Sequence, residues 1–97
     1  MYLEKSVAVV IPAYNEEKLI GQTVSTLPDF VDRIIVVNDA SKDDTSAIVK
    51  EIAKTNGRVV LIDHERNEGV GGAIVTGYKK AREMKSDVTV VMAGDGQ

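Results

Sequence analysis

VAVVIPAYNEE, residues 7–17, decides how the rest of the chain is read. Val7, Ala8, Val9, Val10 and Ile11 form an apolar run with no polar alternation, and Pro12 ends it. A strand wetted on one face alternates apolar with polar residues. A strand buried on both faces does not, and that is the mark of a parallel sheet covered by helices. Three more runs repeat the pattern: RIIVVN at 33–38, RVVLID at 58–63 and DVTVVM at 87–92. Between them lie apolar stripes at helical spacing. Leu19, Ile20, Val24 and Leu27 form the first, which Pro28 stops. Ala47, Ile48, Ile52 and Ala53 form the second, closed by Asn56-Gly57. Val70, Ala73, Ile74, Gly77, Ala81 and Met84 form the third. The order βαβαβαβ predicts an α/β fold with a mostly parallel sheet. Right-handed crossovers place its helices on the sheet faces.

Composition narrows the function classes. With 43% hydrophobic residues and a net charge of -3, the 97-residue chain has the apolar content to fold, which excludes intrinsic disorder. Twelve Lys and Arg against 15 Asp and Glu exclude a basic nucleic-acid-binding surface. Without cysteine there is no disulfide, thiolate metal site or cysteine nucleophile. No apolar run reaches the roughly 18 residues of a membrane span. Met1-Tyr2-Leu3-Glu4-Lys5 leads straight into the first strand, so no signal peptide is expected and the expected location is cytoplasmic. The fourth run ends five residues before Gln97. Four strands alone leave a sheet half covered. Residues 1–97 are therefore expected to be the truncated N-terminal part of a larger domain, with self-association through exposed sheet edges.

Ligands in open α/β sheets bind beyond the carboxyl ends of the strands. The four loops there are polar: PAYNEE at 12–17, NDASKDD at 38–44, HERNEGVGG at 64–72 and AGDGQ at 93–97. Asn15 fits a helix cap, Ser41 and Asp44 fit an S-x-x-D capping box, and Glu16 or Glu17 fits a helix first turn. Asp39 sits between the strand end and that cap, where a carboxylate faces the crevice as an acceptor for a nucleobase or ribose. Gly69-Val70-Gly71-Gly72 fails the dinucleotide fingerprint, because Ile74 stands where the last glycine belongs and the stretch follows the third strand rather than the first. Its glycines are expected to let the third helix pack closely on the sheet or a ligand, and its amides to suit an anion. His64, the single histidine, reads as a solvated loop residue beside Glu65 and Arg66. Arg66 suits either a phosphate or a surface ion pair. Lys79, Lys80 and Arg82 read as a solvated helix face. Asp95, flanked by Gly94 and Gly96, lies where the backbone can approach a ligand and where a hard cation would find an oxygen donor.

Taken together, VAVVIPAYNEEKLIGQTV, IIVVNDASKDDT, HERNEGVGGAIVTGYKKA and VVMAGDGQ resemble the start of a family 2 glycosyltransferase with the GT-A fold. The likeness runs from about residue 7 to 97 and is nearest to dolichol-phosphate mannosyltransferase-like enzymes. It implies a three-layer α/β/α, Rossmann-like nucleotide-binding half of that fold. It also implies transfer of a sugar, with inversion, from a UDP- or GDP-sugar to an acceptor such as a polyprenyl (dolichyl) phosphate. Pro12, Ala13, Tyr14 and Glu16 match the segment lining the base site, and Asp39 matches the base-contacting aspartate of the D-D-G-S-like motif. Arg66, Gly69 and Gly71 match the segment bordering the nucleotide sugar. Asp95 matches the last aspartate of D-x-D, which holds Mg²⁺ or Mn²⁺ on the diphosphate. Two positions depart from the pattern. Ala93 replaces the first aspartate of D-x-D, and Asn38-Asp39-Ala40-Ser41 replaces D-D-G-S. The resemblance places the catalytic base beyond Gln97 and implies membrane association for the full-length protein, with the 97-residue chain inactive alone.

Two other readings compete. A nucleotidyltransferase would want a glycine-rich basic loop after the first strand, where this chain is acidic. A non-enzymatic, receiver-like module would want a phosphoacceptor at Asp63, and the loop after it lacks the remaining pattern.

Overall fold

The computed structural model describes residues 4–92. The elements follow in the expected order: β1 (Val7–Ala13), α1 (Ile20–Ser25), β2 (Arg33–Asn38), α2 (Thr45–Thr55), β3 (Val59–Asp63), α3 (Gly69–Glu83) and β4 (Val88–Val91). All strand pairs are parallel, and the sheet order is β3-β2-β1-β4. The chain therefore steps outward from β1 twice and then returns across it. Right-handed crossovers send the two outward connections to one face and the returning one to the other. The packing agrees. Val9, Ile11, Ile34 and Val36 meet Ile20, Val24 and Val49 on the face of α1 and α2. Ala8, Val10, Ile35 and Val37 meet Ala73 and Ala81 of α3 on the other. The result is a three-layer α/β/α unit.

Burial on both faces holds for the two central strands. β1 and β2 are almost wholly buried, whereas β3 is half-buried and β4 exposes Val88, Val90 and Val91. Each fully buried valine or isoleucine stabilises the fold by about 1.5–3 kcal/mol relative to exposure, so β1 and β2 carry the core. β1 also runs through Pro12, which the sequence reading takes as its end. Even-numbered residues of β1 turn their backbone toward β4, as Val10 C=O does in accepting from Met92 N–H at 2.9 Å. The described ladder with β4 pairs Val10 with Val91, and Pro12, the next residue turned that way, brings no N–H to it.

The register sets the site. Ala13, Asn38 and Asp63 lie side by side at the carboxyl ends of β1, β2 and β3. The three loops that follow therefore leave from one rim. The direction of strand order reverses between β1 and β4, the position where such sheets open a crevice. Among the described residues no helix is long and apolar enough to cross a membrane.

Candidate functional site

The first two rim loops are laced together by hydrogen bonds. Asn15, at φ +53°, donates its N–H to Ser41 Oγ at 2.9 Å and accepts from Lys42 N–H on Oδ1 at 2.8 Å. Glu16 N–H donates to Thr45 Oγ1 at 2.9 Å, and Glu17 N–H donates to Asp43 Oδ2 at 3.2 Å. Asp39 N–H continues the sheet ladder by donating to Ala13 C=O at 2.9 Å. Three local expectations are thereby corrected. Asn15 does not cap α1, because its side chain is spent on the neighbouring loop. Neither Glu16 nor Glu17 lies in the first turn of α1, which begins only at Ile20. Ser41 and Asp44 form no capping box: Asp44 makes no side-chain cap bond, and Asp43 Oδ1 accepts from Thr45 N–H at 3.0 Å instead. Parallel strands in register bring the loops within bonding distance, and that proximity outcompetes the sequence-local cap.

Asp39 is the centre of the rim. It is 3% exposed, although it is an acid at the end of a strand. The loop between β3 and α3 wraps around it. Glu68 N–H donates to Asp39 Oδ1 at 2.8 Å, His64 Nδ1 lies 2.9 Å from the same oxygen, and Asn67 Nδ2 donates to the Asp39 carbonyl at 3.3 Å. Burial alone would raise the carboxyl pKa. The Glu68 amide, the His64 ring and the Gly69 amide outweigh it and hold the group below its ordinary value of 3.8. Asp39 is therefore an ionised carboxylate at neutral pH, kept in a low-dielectric seat.

His64 contradicts its expected place in solvent. Its side chain is 6% exposed, bonded to Asp39 through Nδ1 and to Thr76 Oγ1 of α3 through Nε2 at 2.9 Å. Glu68 Oε2 also lies 3.6 Å from Nδ1. The charged neighbours Glu65 and Arg66 suggested exposure, and both are exposed. The backbone nevertheless turns the histidine inward, because His64 N–H extends the ladder to Asn38 C=O at 2.9 Å. Asn67 and Thr76, which sequence reading passed over, complete this arrangement. Only an N-x-G spacing, with Asn67 Oδ1 accepting from Gly69 N–H at 3.0 Å, could have flagged the first.

The other predicted residues divide. Pro12 and Ala13 end β1 beneath the crevice, Tyr14 is 42% exposed at its mouth, and Glu16 is half-buried beside it. Arg66, Gly69 and Gly71 lie exposed across the rim on the α3 side. Gly69 takes φ +81°, a conformation costly for any side chain. The expectation that glycines 69 to 72 pack on the sheet is not met: a Cβ at Gly69 or Gly71 would meet nothing, and one at Gly72 would strike Glu68. Gly77 makes that close approach, with a Cβ there falling 2.2 Å from Val10 Cγ1. The amides of Glu68 and Gly69 are already spent on Asp39 and Asn67 side chains rather than open to an anion. On the solvent side of α3, Lys79 and Arg82 are exposed and Lys80 pairs with Glu83 at 3.0 Å. Asp95, the predicted metal ligand, lies outside the described residues. Among the described residues no group of three His, Asp or Glu could hold a metal ion.

The arrangement offers an exposed aromatic side chain, Tyr14, and a buried anionic acceptor, Asp39, on the same rim of strand ends. Comparison with known proteins gives this rim relatives. Residues 8–97 match the family described as Glycosyl transferase family 2. The chain is 43% identical to a UDP-N-acetylglucosamine–dolichyl-phosphate N-acetylglucosaminyltransferase of Methanococcus voltae, covering 97% of this chain and 43% of the relative. It is 34% identical to an undecaprenyl-phosphate mannosyltransferase of Micrococcus luteus, covering 93% of this chain and 38% of the relative. Among solved structures, the mannosyltransferase PcManGT from Pyrobaculum calidifontis, in complex with GDP-Man and Mn²⁺, superposes with a TM-score of 0.83. The two are 25% identical over 97% of this chain and 28% of the other. The chain thus spans less than half the length of these relatives.

Proposed function

Since this chain belongs to glycosyl transferase family 2, we propose that it carries the donor side of a sugar transfer. In this reading a nucleotide-diphospho-sugar lies in the crevice at the ends of β1 and β2, with Tyr14 against the base and the Asp39 carboxylate accepting a base or ribose hydrogen. Pro12, Ala13 and Glu16 shape the base side, and Arg66, Gly69 and Gly71 border the diphosphate and sugar. The observation that carries the reading is Asp39 itself. A buried, ionised carboxylate at a strand end costs free energy unless it is hydrogen-bonded, and here a whole loop is committed to holding it. Such a seat suits recognition of a donor N–H or O–H.

The reaction proposed for the whole protein is a direct displacement. An acceptor oxygen attacks the anomeric carbon, the bond to the diphosphate oxygen breaks, and the nucleoside diphosphate leaves with inversion. The named relatives act on dolichyl and undecaprenyl phosphates, which supports a polyprenyl phosphate as the acceptor. Membrane association of the whole protein follows from that acceptor as part of the same proposal. A divalent cation held through Asp95 would neutralise charge on the departing diphosphate. The relatives' names include both UDP and GDP donors, so the base is left to experiment.

The test is an amide NMR titration of this chain with UDP- and GDP-sugars, with and without Mn²⁺. Shifts clustered at Tyr14, Asp39, Gly69 and Gly71 with one nucleotide are expected. Asp39→Asn is expected to weaken that binding about ten-fold or more, the worth of a hydrogen bond to a charged group. Paramagnetic broadening centred on Asp95 is expected with Mn²⁺. Shifts confined to another part of the molecule, or none, would overturn the site.

A further inference from the structure

We propose that His64 is a positioning residue for donor recognition: held between Asp39 and Thr76, it orients the Asp39 carboxylate and ties helix α3 to the base site. This rests on the reading that Asp39 meets the donor nucleotide.

The geometry determines the ring's protonation. An ionised carboxylate only accepts, so the 2.9 Å contact to Asp39 Oδ1 requires a proton on His64 Nδ1. On the other side of the ring Nε2 meets the Thr76 hydroxyl at 2.9 Å, a group able to donate or accept. The chain of bonds joins Thr76 Oγ1 to Nε2 and runs from Nδ1–H to Asp39 Oδ1, where Glu68 N–H also arrives at 2.8 Å. A carboxylate turns freely about its Cβ–Cγ bond. Two donors converging on one oxygen define its plane, and so determine where the second oxygen points. One donor is a backbone amide at the entrance to α3 and the other a ring anchored inside α3. The side chain of Asp39, directly after β2, is thereby set by the loop and helix that follow β3. Burial makes the device effective, because at 6% exposure water does not compete for the ring.

The single histidine makes the test direct, since its ring signals need no assignment. Long-range proton–nitrogen correlation on the nucleotide-free chain is expected to show a proton held on Nδ1 of the ring. The Glu68 amide, bonded to the same oxygen, reports the position of Asp39. Asparagine places its amide nitrogen where Nδ1 sits, and glutamine places its own where Nε2 sits. His64→Asn keeps the donor to Asp39 and loses the tie to Thr76, so it is expected to hold the Glu68 amide and the affinity for UDP or GDP closer to wild type than His64→Gln does. His64→Gln and His64→Ala are expected to shift that amide and to lose about ten-fold in affinity. A ring without a proton on Nδ1, or a Glu68 amide unmoved in His64→Gln, would overturn the proposal. So would unchanged affinity in His64→Gln alongside lost affinity in Asp39→Asn. If Asp39→Asn itself binds nucleotide as wild type, the reading of Asp39 fails, and that result is reached without any histidine variant. Should His64→Ala not fold, the asparagine and glutamine pair still decides.

Discussion

Ala40 occupies a left-handed conformation, φ +60°, directly after the buried Asp39. It stands where the resembling D-D-G-S motif has glycine. A β-carbon in that region costs about 1–2 kcal/mol, and glycine's extra freedom in the unfolded chain returns about 0.5–1 kcal/mol of that cost. The first magnitude is larger, so Ala40→Gly is expected to stabilise the fold by about 0.5–1 kcal/mol, read as a shift of the urea midpoint at constant slope. No gain would mean that the turn relaxes in solution. At this scale legibility was uneven. Asp39 could be singled out from its place after an apolar run. Its burial could not, because that depends on His64, Asn67 and Glu68, which lie 25 or more residues away along the chain.

At the scale of elements, α3 meets the sheet through small residues. Ala73, Gly77 and Ala81 are its buried positions, and Gly77 lies against Val10 of β1. A methyl group at Gly77 would fall 2.2 Å from Val10 Cγ1, inside any permissible contact. Gly77→Ala is expected to destabilise by about 1–3 kcal/mol despite alanine's better helix propensity, which is worth only about 1 kcal/mol. Combining it with Val10→Ala should recover part of the loss in a double-mutant cycle, and strict additivity would show that the two residues do not touch. The helical stripes were readable because an amphipathic helix must repeat its apolar face. The exceptions have local causes. Val70 belongs to the predicted stripe but is exposed in the first turn of α3, and Ala47 is exposed while Val49 takes the buried place on α2.

For the whole molecule, the open edge of the sheet matters most. Among the described residues β4 has no strand beyond it and leaves Val90 48% exposed, with Val88 and Val91 beside it. An exposed apolar edge strand is a template for pairing. This chain is therefore expected to associate with rising concentration in sedimentation velocity, and Val90→Lys to shift it toward monomer. A wild-type chain that stays monomeric at all concentrations would rule out edge pairing.

What the amino-acid order determined by itself was the set of elements and their class. Unbroken β-branched runs, helical stripes and turn residues are local signals, and the backbone obeys them locally. It also determined that polar loops leave the carboxyl ends of the strands, and their residues carry the likeness to glycosyl transferase family 2. Tertiary structure alone decided which strands are central. Four similar apolar runs became two buried strands and two edges, because burial follows from position in the order β3-β2-β1-β4, which the assembled sheet decides and composition does not. It also decided the environment of the site. In-register strand ends drew Asn15 and Ser41 away from helix capping and turned His64 inward onto Asp39. The physical reason is common to both. A hydrogen bond or an apolar contact depends on proximity in space, and residues far apart in the chain acquire that proximity only when the sheet assembles.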